Sequence, residues 1–284
     1  MNWKIKAHLF RILSVVPYGT YIHFFLQKNI TREWPRREQA LDNLLIAARK
    51  VYDHSVVHKE GHYLEIGAGR DLAVAIALRF MGVKHITCID ISLLAQPQLI
   101  EHTAQYLAKR MNIETIPNLS TWHDIEKFGI SYCAPSSLEQ AHFADSSFDC
   151  FYSIDTLEHI PKKDLKNIFS EVKRVLKLGA TSVHCIDYGD HYARSDQKIS
   201  RFNFLTFTRE QWDPFNNKFQ YVNRLRHSQI LKLITDEKMQ IIKDEPFIAP
   251  AEKDIADSLA PQFKDFDKTD LFTLRATVVA TNNK

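Results

Sequence analysis

The chain has 284 residues, enough for one large domain or for a core domain with appendages. Its 45% apolar and 25% charged residues match soluble globular proteins and exclude a disordered or collagen-like chain. A net charge of +3, read as evenly spread, excludes the concentrated basic face that phosphate-directed nucleic-acid binding requires.

Residues 1–60 read as helical, with Leu41, Leu44, Leu45 and Ala48 recurring at three and four. Within them the apolar stretch Ile12–Gln27, bounded by Arg11 and Lys28, is shorter than the ~20 residues a membrane span needs. Pro17, Gly19 and His23 interrupt it, and no small-x-small cleavage site follows. No stable membrane insertion is expected. The basic, apolar start (Lys4, Lys6 and Arg11 among Phe10, Ile12, Leu13, Val15 and Val16) reads as a lid or as a membrane-surface helix, and the lid is favoured because Pro17 and Gly19 cut any long amphipathic helix.

From residue 61 short apolar runs alternate with helix-period stretches. The runs are His62–Ile66, His85–Ile89, Ile130–Cys133, Phe148–Ser153 and Ser182–Ile186, with helical segments near 70–81, 93–110 and 162–177 between them. This alternation predicts a parallel sheet with helices on both faces. Residues 188–222 are aromatic and polar without a clear period. A helix follows at Arg224–Lys238, then apolar runs at Met239–Ile242 and Leu271–Ala280, which suggest a late antiparallel hairpin or edge. Four cysteines without a C-x-x-C pair are no disulfide framework. Cys88, Cys133, Cys150 and Cys185 fall in or at the end of the apolar runs, as buried thiols of a reducing, cytoplasmic compartment do.

The segment Tyr63-Leu64-Glu65-Ile66-Gly67-Ala68-Gly69-Arg70-Asp71 runs from a strand through a glycine turn towards a helix. Glycines there let the chain turn sharply and leave room for a ligand at the helix N-terminus. Asp90 closes the next apolar run, 21 residues after Gly69, where an acid can accept both hydroxyl protons of a ribose. A dinucleotide fingerprint wants a third glycine at 72, which is Leu72. Glu65, two residues before the first glycine, would repel a pyrophosphate but suits a ligand carrying an ammonium and a sulfonium.

These pieces, with Ile89-Asp90-Ile91-Ser92, Asp145-Ser-Ser-Phe148-Asp149-Cys-Phe-Tyr-Ser153, Leu157-Glu158-His159-Ile160-Pro161 and Glu171-Val-Lys-Arg-Val-Leu-Lys177-Leu-Gly179, resemble the class I S-adenosylmethionine-dependent methyltransferases. The resemblance is to the branch acting on small molecules, similar to quinone-biosynthesis methyltransferases. It implies a doubly wound, Rossmann-like α/β fold whose seven-stranded sheet has its last strand antiparallel. It also implies S-adenosylmethionine as cofactor, with Gly67, Ala68 and Gly69 passing under it, Glu65 helping to hold its amino-acid end and Asp90 binding its ribose. Ile91 would lie against the adenine and Asp155 near the methionine portion. Where that family often has an acid for the adenine amine, this chain has Ser137.

Methyl transfer from a sulfonium is an in-line displacement, so alignment and exclusion of water are the main contributions of the protein. A base is needed only where the acceptor must lose a proton. The candidates follow the fifth strand in Asp187-Tyr188-Gly189-Asp190-His191-Tyr192, with His191 as base, Asp190 or Asp187 as its orienter, and His159 as the alternative base. Residues 192–226 supply candidate substrate contacts in Arg194, Arg201, Asn203, Phe204, Phe207, Trp212, Asn223, Arg224 and Arg226, which would join Asp187 and Tyr188. Aromatics interleaved with arginine can close over a planar or anionic acceptor, and can equally be the packing surface of a cap. His54, His58 and His62 have a spacing that can hold zinc, but Ser55 stands where H-E-x-x-H has its glutamate, so no metal is expected.

The expected organisation is a helical cap at 1–60, a cofactor-binding core at 61–190, a substrate-side insertion and helix at 191–238, and two closing strands at 239–284. The expected partner is a small-molecule acceptor of oxygen, nitrogen or carbon type, with no nucleic acid, in a monomer or homodimer. The rival readings are an NAD(P)-linked oxidoreductase, which Leu72 and Glu65 disfavour, and a non-catalytic module that binds S-adenosylmethionine.

Overall fold

A computed structural model describes residues 1–283. Three helices come first: α1 (Trp3–Val15), α2 (Gly19–Asn29) and α3 (Glu38–His54). The alternating core follows as β1 (His62–Ile66), α4 (Ala73–Phe80), β2 (His85–Ile89), α5 (Pro97–Arg110), α6 (Trp122–Lys127), β3 (Ile130–Cys133), β4 (Phe148–Ile154), α7 (Lys162–Val175) and β5 (Leu176–Asp187). The chain closes with α8 (Arg209–Trp212), α9 (His227–Asp236), β6 (Gln240–Ile248), α10 (Lys253–Asp257), α11 (Lys268–Leu271) and β7 (Thr273–Thr281).

The seven strands pair in the order β3-β2-β1-β4-β5-β7-β6. The first five are mutually parallel, and β7 is antiparallel to both of its neighbours. The strand order reverses beside β1 and β4, and in such sheets ligands bind in the crevice at the carboxyl ends of the strands there. One face is covered by α3, α4 and α5 around Val51, Ile76, Leu107 and Tyr63. The other is covered by α7 and α9 around Phe169, Val172, Ile234 and Phe151. Burial on both faces is why β1, β2 and β4 read as near-continuous apolar runs instead of alternating ones.

The three short strands at 62–66, 85–89 and 130–133 have the bounds their sequences predict. Helix starts moved inward for local reasons. Leu72 sits in the left-handed region at φ +49°, so α4 begins at Ala73, and α5 begins where Pro97 occupies its first turn. The stretch between β6 and β7 is not simply a connection between two closing strands. Ile255, Ala260, Phe263 and Leu271 from it join Trp3, Tyr192, Phe204 and Trp212 in a third apolar cluster. Residues 191–238, the N-terminus of α1 and the 249–272 segment therefore share one core.

Candidate active site

Register builds the centre of the site. Glu65 on β1 lies opposite Cys88 on β2 and opposite Tyr152 on β4, so the three side chains share one face of the sheet. The Tyr152 hydroxyl donates to Glu65 Oε2 at 3.0 Å, and the Cys88 thiol approaches the same oxygen at 3.4 Å. Glu65 is 3% exposed. Burial, reinforced by the nearby acids Asp71 and Asp90, raises its pKa to about 7. An ammonium ligand would return the carboxylate to its charged form.

The bend after β1 places both glycines at φ +73°, which side chains rarely adopt. A Cβ on Gly67 would stand 2.4 Å from Thr156 Cγ2, so the Gly67 backbone lies directly against the loop that follows β4. Asp90, buried at the tip of β2, accepts from the Ser92 N–H at 3.0 Å and from the Gly69 N–H. Burial raises its pKa, and those two N–H donors work against the rise. Ile91 beside it is 79% exposed, an apolar side chain left open at the place expected for a flat base. Together the open Ile91, the buried acid and the crowded glycine bend form a cradle that fits a nucleoside.

Ser137 forms a closed turn with Gln140: its N–H donates to Gln140 Oε1 at 3.0 Å and its hydroxyl accepts from the Gln140 N–H at 3.2 Å. Asp71 does not cap α4. Its Oδ2 binds Arg36 Nε at 2.9 Å and the Thr103 hydroxyl at 3.3 Å, tying the approach to α3 and the middle of α5 to the glycine bend. Arg70 lies 4.2 Å over the Phe24 ring of α2. These three contacts join residues far apart in the chain, and such separations carry no periodic signal in the sequence.

The acid–base cluster gathers at the tips of β4 and β5. Asp155 sits there at φ +48°, its pKa raised by burial and by Asp187. The His159 and His191 rings are 4.9 Å apart. Nδ1 of His159 meets the Tyr221 carbonyl at 2.6 Å, which assigns the proton to Nδ1 and leaves Nε2 as a neutral acceptor. Burial lowers the His159 pKa. Burial and then the Arg194 guanidinium, which donates to Nε2 at 3.0 Å, depress His191 to about 2. Arg194 thus occupies Nε2 of His191, whereas Nε2 of His159 has no such contact among the described residues.

The expected orienters separate as well. Asp190 is fully buried and does not face His191. Its oxygens accept from the Tyr192 N–H at 2.9 Å and from Asn203 Nδ2 at 3.0 Å, so it caps the turn at 191–194. Asp187 reaches His191 only through Arg194, which binds it at 2.7 Å, with Arg201 at 3.2 Å and Arg275 at 3.8 Å. Burial opposes its ionisation, but Arg194 and the other cations hold its pKa below the usual carboxylate range.

Most of the candidate substrate contacts turn out to be internal. Trp212 is 1% exposed, stacked at 5.9 Å on Trp3 and edge-on to Phe215 at the same distance. Arg226 is equally buried, donates to the Tyr188 and Leu271 carbonyls, and lies over the Phe204 ring at 5.3 Å. Arg224 donates to the Phe204 and Phe207 carbonyls. The Tyr188 hydroxyl is engaged by His227 Nδ1 at 3.0 Å. These side chains hold the cap together, and Arg201 and Arg194 are the members that reach the acid cluster.

His54, His58 and His62 do not converge: their ring nitrogens meet Lys243, Ser55 and Thr87 respectively. Among the described residues, ligand atoms of Glu158, His159 and His191 do come together, within 4.8 Å of one another. Glu158 is 4% exposed and both of its carboxylate oxygens lack a hydrogen-bond partner.

Residues 64–183 match a protein-family model described as a methyltransferase domain. No curated protein matches the chain. Among solved structures, the chain is similar to the methyltransferase complexed with the Trm112 activator of Haloferax volcanii (14% identity, 88% of this chain and 95% of that one, TM-score 0.50). It is also similar to an S-adenosylmethionine-dependent methyltransferase from Methanosarcina mazei (20%, 82% and 97%, 0.49). A third is geranyl diphosphate C-methyltransferase from Streptomyces coelicolor (13%, 88% and 86%, 0.49). At 14% identity and a TM-score of 0.50 the Haloferax volcanii likeness speaks for the fold alone, while the domain match runs from β1 into β5, where the cradle lies. Residues 64–183 are therefore a methyltransferase domain, and S-adenosylmethionine is its cofactor.

Proposed function

We propose that the protein methylates a small-molecule acceptor that enters beside Asp155 and loses its proton to His159. The observation that carries this reading is a cavity of about 470 Å³ between α3 and the tips of β4, β5 and β7. Asp155, Ile154, Ile186 and Arg194 line it together with Ala40, Leu44 and Ala47 of α3. Its volume suits a small molecule, and the charged side chains Arg36, Lys50, Asp155, Arg194, Glu245 and Arg275 among its apolar ones suit a polar or charged acceptor. S-adenosylmethionine supplies the methyl group, with Glu65, Gly67, Gly69 and Asp90 as its holders. Residues 1–37 act as a lid, because Phe24 under Arg70 and Arg36 on Asp71 brace the glycine bend from outside. His159, neutral and with Nε2 free, is matched to a hydroxyl or ammonium acceptor that must lose a proton.

The test is transfer of labelled methyl from S-adenosylmethionine to a panel of phenols, amines and carboxylates, repeated with His159→Asn and His191→Asn. Labelling of a small acceptor, with turnover cut by His159→Asn while S-adenosylhomocysteine affinity holds, is the expected result. Labelling confined to protein or RNA, or full turnover by His159→Asn, rejects the reading.

One observation favours a second way of activating the acceptor. A buried carboxylate with two partnerless oxygens beside two neutral imidazoles is a donor set that suits a divalent cation. A cation there would lower the pKa of a bound hydroxyl. Turnover that survives exhaustive chelation removes this variant.

A further inference from the structure

We propose that the outward face of the α1–α2 hairpin docks the protein on an anionic lipid surface. The inner face of the hairpin is already used. Trp3 is buried among Tyr192, Phe207, Trp212 and Phe215, and its N–H donates to Asp196 at 3.0 Å. Phe10 packs edge-on against His23, which stacks on Phe219. Contacts to the cap and to Arg70 thus fix which sides of α1 and α2 look outward.

That outward side is apolar. Ile5, Leu9 and Ile12 recur at helical spacing along α1 and are each about half exposed. Tyr18, Tyr21 and Phe25 continue the face across the turn into α2, and are 78%, 76% and 61% exposed. Among the described residues, the first 30 hold eleven of the twenty-two large apolar side chains that stand exposed. A contiguous exposed apolar face marks an interaction surface, whereas scattered single residues do not. Tyrosines at its margin place an apolar ring and a polar tip where a membrane surface offers both environments.

Charge selects the partner. Residues 1–32 contain Lys4, Lys6, Arg11, Lys28 and Arg32 and neither aspartate nor glutamate, the first acid being Glu33. The net charge, which looks evenly spread when counted over the whole chain, is therefore concentrated here, and the remaining residues are slightly acidic. Lys6 and Arg11 reach inward, to the Ser195 hydroxyl and the Pro214 carbonyl, which leaves Lys4, Lys28 and Arg32 as the exposed cations of the hairpin, and these beside an apolar face complement anionic headgroups over an acyl boundary. A second copy of the same face would bring like charges together, which disfavours a homodimer through it. At 13 and 11 residues the helices lie on a bilayer and do not cross it.

The full chain is tested by co-sedimentation with phosphatidylcholine vesicles, with and without phosphatidylglycerol, at low and high salt. Leu9→Glu/Phe25→Glu is the matched variant, because both side chains are exposed and neither makes the Phe24–Arg70 or Arg36–Asp71 contact that braces the glycine bend. Its thermal unfolding and S-adenosylhomocysteine affinity, unchanged from wild type, show that the fold is kept. The expected result is binding to phosphatidylglycerol vesicles alone, weakened by salt, with a partition constant about tenfold or more lower for the variant. Failure of the wild type to pellet with phosphatidylglycerol vesicles, or equal pelleting by the variant, overturns the proposal. So does a lipid-free wild-type dimer that the variant converts to monomer while neither protein binds vesicles, which would make this face a contact between copies.

Discussion

Replacing Glu65 by glutamine separates the charge of that side chain from its shape. The carboxyl is wholly buried and titrates at about 7, against 4.5 for an exposed glutamate. A displacement of that size corresponds to about 3 kcal/mol of difference in how tightly the folded and unfolded chains hold the proton. The folded-state value is raised, so the folded chain keeps the proton through the interval in which the unfolded chain has lost it. Stability contributed by this group is therefore lost as pH climbs from about 4.5 to about 7, and the loss is complete above that. Glutamine keeps an oxygen for the Tyr152 hydroxyl and never ionises. The difference in unfolding free energy between Glu65→Gln and wild type should grow in favour of the variant across that interval, reaching about 3 kcal/mol near pH 8. Urea unfolding of the ligand-free proteins at several pH values measures it, and subtraction cancels the other acids whose pKa is raised, Asp155 and Glu158 among them.

Cofactor binding should show the reverse preference. A cationic amino group stabilises the ionised carboxylate, so wild-type affinity for S-adenosylhomocysteine should weaken by up to about tenfold per pH unit below about 7. The variant should bind weakly, with little dependence on pH. Parallel stability curves for the two proteins, or equal affinity at every pH, would refute the assignment of a protonated Glu65 in the empty site.

Three further substitutions test the rest of the arrangement. Gly67→Ala puts a Cβ into Thr156 and into a left-handed backbone, costing about 1–2 kcal/mol for the conformation alone. Calorimetry should find S-adenosylhomocysteine binding lost, and adding Thr156→Ala should recover part of the stability but not the conformational cost. Asp90→Asn exchanges a charged acceptor for a neutral one and should weaken S-adenosylhomocysteine by roughly 10- to 100-fold, in line with about 1.5–3 kcal/mol for hydrogen bonds to a charged group. Trp212→Ala opens the centre of the cap core and should cost about 3–5 kcal/mol in urea unfolding. A Trp212→Ala protein of native stability with only KM raised would return that residue to the substrate.

The sheet was legible because its strands are buried on both faces: an apolar run of four to seven residues bounded by a turn has few other ways to fold. Where a strand is exposed the signal faded. β6 extends to Ile248 through Lys243, Asp244, Glu245 and Pro246, an edge strand whose composition reads as loop. The irregular region after Asp187 was unreadable for a different reason. Its order comes from aromatic packing between residues far apart in the chain, Trp3 on Trp212 being the extreme case, and no local period records such contacts.

The cofactor cradle and the cap differ in how their residues advertise themselves. Glu65, Gly67, Gly69 and Asp90 stand at strand ends, where turn chemistry and the ends of apolar runs locate them before any folding is known. Arginine among aromatics is ambiguous by nature, because a guanidinium that satisfies carbonyls and lies over rings serves a core as well as a ligand. Arg224 and Arg226 took the first role, each donating to two backbone carbonyls inside the cap. What distinguishes Arg194 is the acid it meets. Asp187 is buried at the tip of β5, and a buried carboxylate must gather cations. The cation closest to it, Arg194, also donates to Nε2 of the neighbouring His191. The informative residue in the run was therefore the aspartate ending the strand, whose need for a counter-charge sets Arg194 between it and His191.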